Sequence, residues 1–371
     1  MAIVSSSLRF QSKFSFVKTS CFLLFALSSG FCFSQPQSEE ARFISGLQRL
    51  AIAPDGLLSL RAALLFSVDY SQNELESIQK AFQQIGIDAV TYVDSERVLA
   101  GTDLQMVFTR QFTRRDIKFL IFIWKENDEY HISFLPFNPK TLWTKSSQPA
   151  WFLHSSNLQD LLFMIFHALA STQKRQSFLI NDFPEMDANA NLFSSNRNET
   201  QVPNIKSSKI AVPKMRDEST QKEWEQFLKD NFHVRYEMVE DTISENDLEL
   251  KGFNYILRFI HARGSLAKEI LGYELSKSES ALASVTYSNG VLQLKTIPSE
   301  TLVYKFYFKS LENSELYFGT KWDADITWQD ALKNHLDAYR ILGKINWKEF
   351  DIPEFIFSYL AKSLSEWWMQ R

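Results

Sequence analysis

The sequence predicts an α/β fold of mixed α+β character: two tandem modules, each a mixed sheet with packed helices, plus a C-terminal helix. The first observation is an amphipathic stretch late in the chain. From Trp328, apolar or aromatic-like positions fall at Ala331, Leu332, His335, Leu336 and Tyr339, the stripe of a helix with one buried side. Thr327 precedes it as N-cap, and Asp330 serves as the capping acid and suits the positive helix start. The second observation is that the pattern returns 170 residues earlier, at Leu158, Leu161, Leu162, Ile165, Phe166 and Leu169, with Asn157 as cap and Asp160 at the same offset. The third is a pair of capping boxes 149 residues apart, Ser71-Gln72-Asn73-Glu74 and Thr220-Gln221-Lys222-Glu223. Each follows a short apolar run and leads into a second β-like run. The order strand, capped helix, strand, variable middle, strands, helix therefore occurs twice, with the second copy longer by 21 residues.

Residues 1–34 read as a secretory signal peptide: Arg9, Lys13 and Lys18 without an acid, then the apolar run Cys21 to Phe33, then Ser34-Gln35-Pro36. That run is short of the roughly 20 residues a spanning helix needs. A lipid anchor at Cys32 and an organellar transit peptide stay open as other readings of the same stretch. Cleavage after residue 34 removes three cations, no acid and both cysteines, and takes the formal charge from −4 to −7. Disulfides, thiol nucleophiles and zinc-thiolate sites then go together. A mildly acidic chain without a basic run argues against a nucleic-acid partner.

Residues 35–59 form a lead-in, with Phe43, Leu47, Leu50 and Ile52 as docking positions and Pro54-Asp55-Gly56 as a turn. Module 1 spans residues 60–181. After the run Ala62 to Val68, its capped helix carries Leu75, Ile78, Phe82 and Ile85 on one side and stops at Gly86. A strand around Ala89 to Val93 and a short helix from Asp103 to Thr113 follow. Lys118 to Trp124 reads as a central strand that turns through Glu126-Asn127-Asp128 into Tyr130 to Phe134. Residues 182–206, dominated by Asn, Ser, Asp and Pro, read as a polar linker. Asn198-Glu199-Thr200 in it matches a glycosylation sequon, a triplet that arises by chance in Asn-rich loops.

Module 2 spans residues 207–343. Lys209 to Met215 and Val234 to Val239 flank its capped helix, Phe253 to His261 reads as a strand and Gly264 to Tyr273 as a helix. Ala283 to Tyr287 turns through Ser288-Asn289-Gly290 into Val291 to Ile297, a hairpin signal. In Val303 to Lys309 the alternation sets Tyr304, Phe306 and Phe308 on one face and Val303, Lys305, Tyr307 and Lys309 on the other, a strand with one buried face. Residues 344–371 are a helical tail whose stripe Ile356, Leu360, Leu364, Trp367 and Trp368 docks back or makes peripheral contact with a membrane surface. This element order, around the KIAVPKM strand at 209–215, resembles the periplasmic α/β modules of the Tol-system translocation protein's amino-terminal domain and of the curli-secretion lipoprotein family, over residues 60–172 and 207–343. The resemblance lies in pattern alone, so it carries no binding residue with it.

The candidate ligand-binding residues are Trp322, Asp323 and Asp325, in the acidic loop ahead of the last helix. Paired carboxylates there could hold a cation, but a calcium loop opening at Asp323 wants Gly and Glu where Trp328 and Asn334 stand. The favoured reading takes the two acids as solvated charges that support the helix start, each contributing about 0.3–1 kcal/mol. Tyr304, Phe306, Tyr317, Trp322 and Trp328 read as core aromatics before they read as a stacking platform. His131, His154, His167, His233, His261 and His335 show no metal-ligand spacing, and His335 sits where the first copy has Ile165. No GxSxG, P-loop or dinucleotide fingerprint occurs, and 11 glycines leave little material for phosphate loops. No catalytic residue, metal or cofactor is assigned. The expected function is a non-catalytic, secreted or periplasmic scaffold or interaction module whose partner is another envelope protein. The competing expectation is a hydrolase or carbohydrate-binding protein using the loop Trp322 to Asp325.

Overall fold

The structure, a computed structural model, describes residues 39–140, 148–170, 172, 180–181, 184–186, 197–215, 218–241, 243–273, 279–288 and 291–344. Its elements in chain order are α1 (Glu39–Ser45), β1 (Gln48–Leu50), β2 (Arg61–Phe66), α2 (Gln72–Ile85), β3 (Asp88–Asp94), α3 (Ser95–Leu99), α4 (Thr102–Arg114), β4 (Ile117–Glu126), β5 (Glu129–Pro136), β6 (Pro149–Ser155), α5 (Leu158–Leu169) and β7 (Glu185–Met186). They continue with β8 (Arg197–Asn198), β9 (Ile210–Pro213), α6 (Glu218–Asn231), β10 (Tyr236–Val239), α7 (Glu245–Leu250), β11 (Tyr255–Arg263), α8 (Gly264–Ile270), β12 (Ala281–Ser288), β13 (Val291–Pro298), β14 (Leu302–Ser310), β15 (Leu316–Tyr317) and α9 (Trp328–Lys344). The signal-peptide stretch with Cys32, the Asn289-Gly290 turn and the tail stripe from Ile356 to Trp368 lie outside the described residues.

The α/β class is as expected, and one strand order occurs twice. The first sheet runs β1-β6-β5-β4-β2-β3-β7 and the second β10-β9-β11-β14-β15-β8. In the first, β3, β2 and β4 are parallel and β5 and β6 alternate back. In the second, β10, β9 and β11 are parallel and β14 and β15 alternate back. Even the outermost strands agree, because β1 and β8 each lie parallel to the last strand of their sheet. The span read as a polar linker supplies β7 and β8, short edge strands on both sheets.

The caps form where the residue types require them. Ser71 and Glu74 close a reciprocal capping box, the Ser71 N–H donating to Glu74 Oε2 at 2.8 Å, and Gly86 ends α2 at φ 99°. Asn157 accepts from the Gln159 N–H at 2.7 Å, and Thr327 accepts from the Asp330 N–H at 3.1 Å. The Asn127-Asp128 turn takes both residues to positive φ, 51° and 61°, as a two-residue hairpin loop needs. The second capping box is not a cap: α6 starts at Glu218, so Thr220 lies inside it, and Gln221 Oε1 instead accepts from the Met215 N–H at 2.6 Å.

Both sheets are covered on both faces. Outside the first, α2 and α5 pack Leu75, Ile78, Phe82, Leu161 and Ile165 on Leu64, Ile121 and Ile123. Outside the second, α6 and α9 pack Trp224, Leu228, Leu332 and Leu336 on Val212, Leu257, Phe306 and Phe308. Between the sheets lies one shared core. Ala63, Leu65, Leu120 and Phe122 meet Leu104, Phe108 and Phe112 of α4, and the same cluster runs on through Ile260, Ala262, Val303 and Tyr307. This corrects the one-face reading of Val303 to Lys309: β14 is buried on both faces, and Lys305 is 0 % exposed. Two apolar positions read as core face solvent instead, Phe166 at 47 % and Ile52 at 76 % exposure. In α5, Leu161, Leu162, Ile165 and Leu169 already complete the buried stripe. Among the described residues no helix is long and apolar enough to cross a membrane.

Trp328 anchors the outer layer, its ring edge-on to Trp224 at 5.1 Å and to Phe227 at 5.3 Å. Trp328→Ala removes a large core side chain and should cost about 3–5 kcal/mol. Phe166→Ala, on an exposed position, should stay within about 0.5 kcal/mol. Chemical denaturation of the two variants separates the packed position from the exposed one.

Candidate functional site

Trp322, Asp323 and Asp325 are brought together, but turned inward. The Asp325 N–H and C=O exchange bonds with Tyr304 of β14 at 3.1 and 2.7 Å, and the Val285 N–H of β12 donates to the Trp322 carbonyl at 2.7 Å. Wedged between these strands, Trp322 is 8 %, Asp323 3 % and Asp325 2 % exposed. The expectation of solvated acids is therefore corrected. Asp323 accepts from Lys305 Nζ at 2.6 Å and meets His335 Nδ1 at 3.0 Å, while Lys305 Nζ also donates to the Phe318 carbonyl at 2.7 Å. Asp325 accepts from Lys295 Nζ at 2.5 Å, the Ile326 N–H at 2.7 Å and Asn334 Nδ2 at 3.3 Å. Burial alone would raise the Asp323 carboxyl, but Lys305 and His335 outweigh it and hold it below the usual carboxylate range. Burial also holds His335 below its ordinary value. All four carboxylate oxygens are used within the fold, and the Trp322 ring packs on Tyr273 at 5.1 Å. The loop thus works as a buried strut, with no exposed acid pair for a sugar or a cation.

The strand ends offer more. In a 2-1-3 order of parallel strands the chain reverses direction across the sheet between the first and third strands, and a crevice opens at their carboxyl ends. In the first sheet this point, between β2 and β4, is plugged. The Ser67 N–H donates to the Ile123 carbonyl at 3.0 Å, Ser95 Oγ donates to the Phe66 carbonyl at 3.0 Å and to Glu40 of α1 at 2.9 Å, and Phe43 of α1 packs on Phe122 at 4.9 Å. Burial pushes the Glu40 carboxyl up to about 7; the bond from Ser95 opposes this and Asp94, Glu96 and Asp69 add to it.

In the second sheet the equivalent point is open. β9 pairs with β11 only at Ile210 and Ala211, then diverges. The far end of the gap is closed from the first half, where the Ala100 carbonyl accepts from the His261 N–H at 2.7 Å. Gly101 makes this approach possible, because a Cβ there would lie 2.6 Å from the Phe259 carbonyl oxygen. Between these closures lies a cavity of about 660 Å³, with walls that include Trp224, Phe259 and Phe306 and polar groups that include Arg42, Gln105 and Arg258. Under it a buried charge network crosses the halves. Asp103 of α4 accepts from Tyr307 Oη at 2.7 Å and lies 3.4 Å from Arg258 Nε and 3.5 Å from Lys309 Nζ; Glu245 accepts from Lys309 at 2.8 Å. Burial again opposes ionisation of Asp103, and Arg258 and Lys309 overcome it.

A third feature is the β12–β13 hairpin. Leu282 and Ile297 tie it to the shared core, yet β13 stands out, with Val291 61 %, Leu292 50 % and Leu294 71 % exposed. β12 is its one strand partner among the described residues.

Sequence reading missed Arg258, Gln105 and the cavity because the cavity's walls are assembled from both halves of the chain. One signal was present: Arg258 stands in the apolar run Tyr255 to His261, a charge that a doubly buried strand must neutralise. Among the described residues no group of three or more His, Cys, Asp or Glu side chains could hold a metal ion. Comparison of the chain with protein-family models and with curated proteins gives no match.

Two outcomes follow. Asp323→Asn leaves Lys305 buried without its counter-charge and should cost about 3–5 kcal/mol, and far less in a Lys305→Met background, as a double-mutant cycle would read. Glu40 gives a pH dependence. Its folded value of about 7 lies above the ordinary 4.5, so the folded state holds the proton more tightly and stability falls as pH rises from 4.5 to 7. Glu40→Gln should remove that fall, gaining roughly 2–4 kcal/mol over wild type at pH 8 and little at pH 4 in urea titrations.

Proposed function

We propose that this chain is a non-catalytic protein of the cell envelope, exported to the periplasm or beyond, which acts as an interaction module by pairing its β13 edge with an extended strand of another envelope protein. The observation that carries this reading is the edge itself. β13 runs for eight residues with one strand neighbour among the described residues, and its pattern is exposed at every position from Val291 to Thr296. Soluble proteins guard such edges with charges, lysine above all. Here the one lysine of the strand, Lys295, is held by Asp325 at 2.5 Å, which leaves an apolar, hydrogen-bonding edge on offer. Strand addition satisfies both demands, since main-chain bonds give affinity and alternate side chains give specificity. The exposed Phe163, Met164 and Phe166 of α5 add apolar surface elsewhere on the molecule. Export is supported by the basic, then apolar, acid-free start of residues 1–34 and the absence of cysteine after it. The likeness to Tol- and curli-type periplasmic modules belongs to the same proposal and rests on element order.

Photo-crosslinking in intact cells tests it. A crosslinker at Leu294 should give one discrete protein adduct that a crosslinker at the exposed Lys80 of α2 does not give. Leu292→Lys with Leu294→Lys elsewhere on the edge, probed from Val291, should abolish the adduct without shifting the melting temperature. Equal adducts from both positions, or an adduct that survives the charged edge, would refute strand addition.

A further inference from the structure

We propose that the slot between β9 and β11 binds a small planar anion, an aromatic ring carrying a carboxylate or phosphate. The site lies where a 2-1-3 parallel order places its crevice, and its volume of about 660 Å³ falls in the range of small-molecule pockets. Its counterpart in the first sheet is filled by α1, so the opening is particular to the second half and not a consequence of the strand order alone.

Three independent features define the ligand. Arg258 is the first: its side chain is 4 % exposed, it lines the slot, and Nε and Nη1 have no hydrogen-bond partner. Asp103 at 3.4 Å and Glu245 at 3.6 Å balance its charge without saturating its donors. A guanidinium with spare donors can give a charge-assisted hydrogen bond to an oxygen of a carboxylate or phosphate. The second is Gln105, 3 % exposed and also lining the slot, whose Oε1 lacks a donor and would be met by a hydroxyl or ring N–H on the ligand. Buried polar atoms without partners are uncommon, and two residues with them at one cavity point to a missing group. The third is the start of α4. This 13-residue helix has no side-chain cap bond at Gly101, and Gly101 and Thr102 face the slot, so its positive end favours an anion there. Arg42, Lys214 and Asp241 also line the slot, with Lys214 held by Glu240 at 2.6 Å. The body of the ligand is set by walls that include Trp224, Phe259 and Phe306, whose apolar ring surface favours an aromatic group.

Isothermal titration of the full chain with 4-hydroxybenzoate and with phenyl phosphate tests the site and distinguishes the two head groups. At least one should saturate with Kd below about 1 mM, and phenol, which lacks the anion, should bind at least about tenfold more weakly. Ser45→Trp places an indole at the mouth from an exposed position on α1, and Gln105→Leu removes the unpartnered acceptor. Both should weaken 4-hydroxybenzoate about tenfold or more with unchanged melting temperature. Arg258 is left in place, because removing it would unbalance Asp103. No heat from either anion up to about 10 mM, equal binding of phenol, or unchanged affinity in Ser45→Trp would overturn the assignment.

Discussion

The burial of both inner sheet faces in one shared core is the constraint on which the rest of this structure depends. A strand covered on both sides cannot send a charge to water, so every ionisable side chain on an inner face must find its counter-charge inside. Lys305 does so through Asp323, and Arg258 and Lys309 do so through Asp103 and Glu245. The loop from Trp322 to Asp325 is held between β12 and β14 because it carries one of those counter-charges. The start of α4 is held against the second sheet because it carries another. Ion pairs of this kind add little net stability, but a register or docking angle that separates them is strongly disfavoured, so they select one arrangement of the two sheets.

What could be read from the sequence was local. Caps at Ser71, Asn157 and Thr327, the stop at Gly86 and the turn at Asn127-Asp128 all follow from residue types within a few positions of one another. The repeated order of elements along the chain was legible for the same reason, as two copies of one local pattern, whereas the order of strands within each sheet was not. The failures share a cause as well. Lys305 and Lys309 look like a solvent face until partners 18 and 64 positions away are known, and the Tyr307 bond to Asp103 spans 204 positions. Asp323 and Asp325, next to a helix start, look like helix-supporting surface acids when nothing shows that β12 and β14 close over them. Phe166 failed in the opposite direction, since an apolar residue at the margin of a helical stripe falls inside or outside according to how wide a sheet lies beneath it.

The two copies of the strand order also show how one fold can hold a structural end and a functional end. At the first sheet's strand ends α1 supplies Phe43 and Glu40, Ser95 ties α3 to β2, and the crevice is gone. At the second, β9 leaves β11 after two residues of pairing, and the material that would close the gap comes from the first half only as far as Ala100 and Gly101. The same helix α1 borders both places, plugging one with Phe43 and Glu40 and walling the other with Arg42 and Ser45.

This asymmetry carries an energetic argument. Desolvating a guanidinium costs several kcal/mol, and an arrangement selected for stability alone would use all of its donors. Arg258 keeps its counter-charges at 3.4 and 3.6 Å, near enough to hold the charge in place and too poorly aligned to consume Nε and Nη1. An aliphatic side chain on the same strand would extend the apolar cluster of Ile260 and Ala262 and spare Asp103 its burial. A doubly buried sheet that retains the costlier residue beside an open crevice, opposite an unpartnered glutamine and an uncapped helix start, holds its polarity for something that arrives from outside the fold.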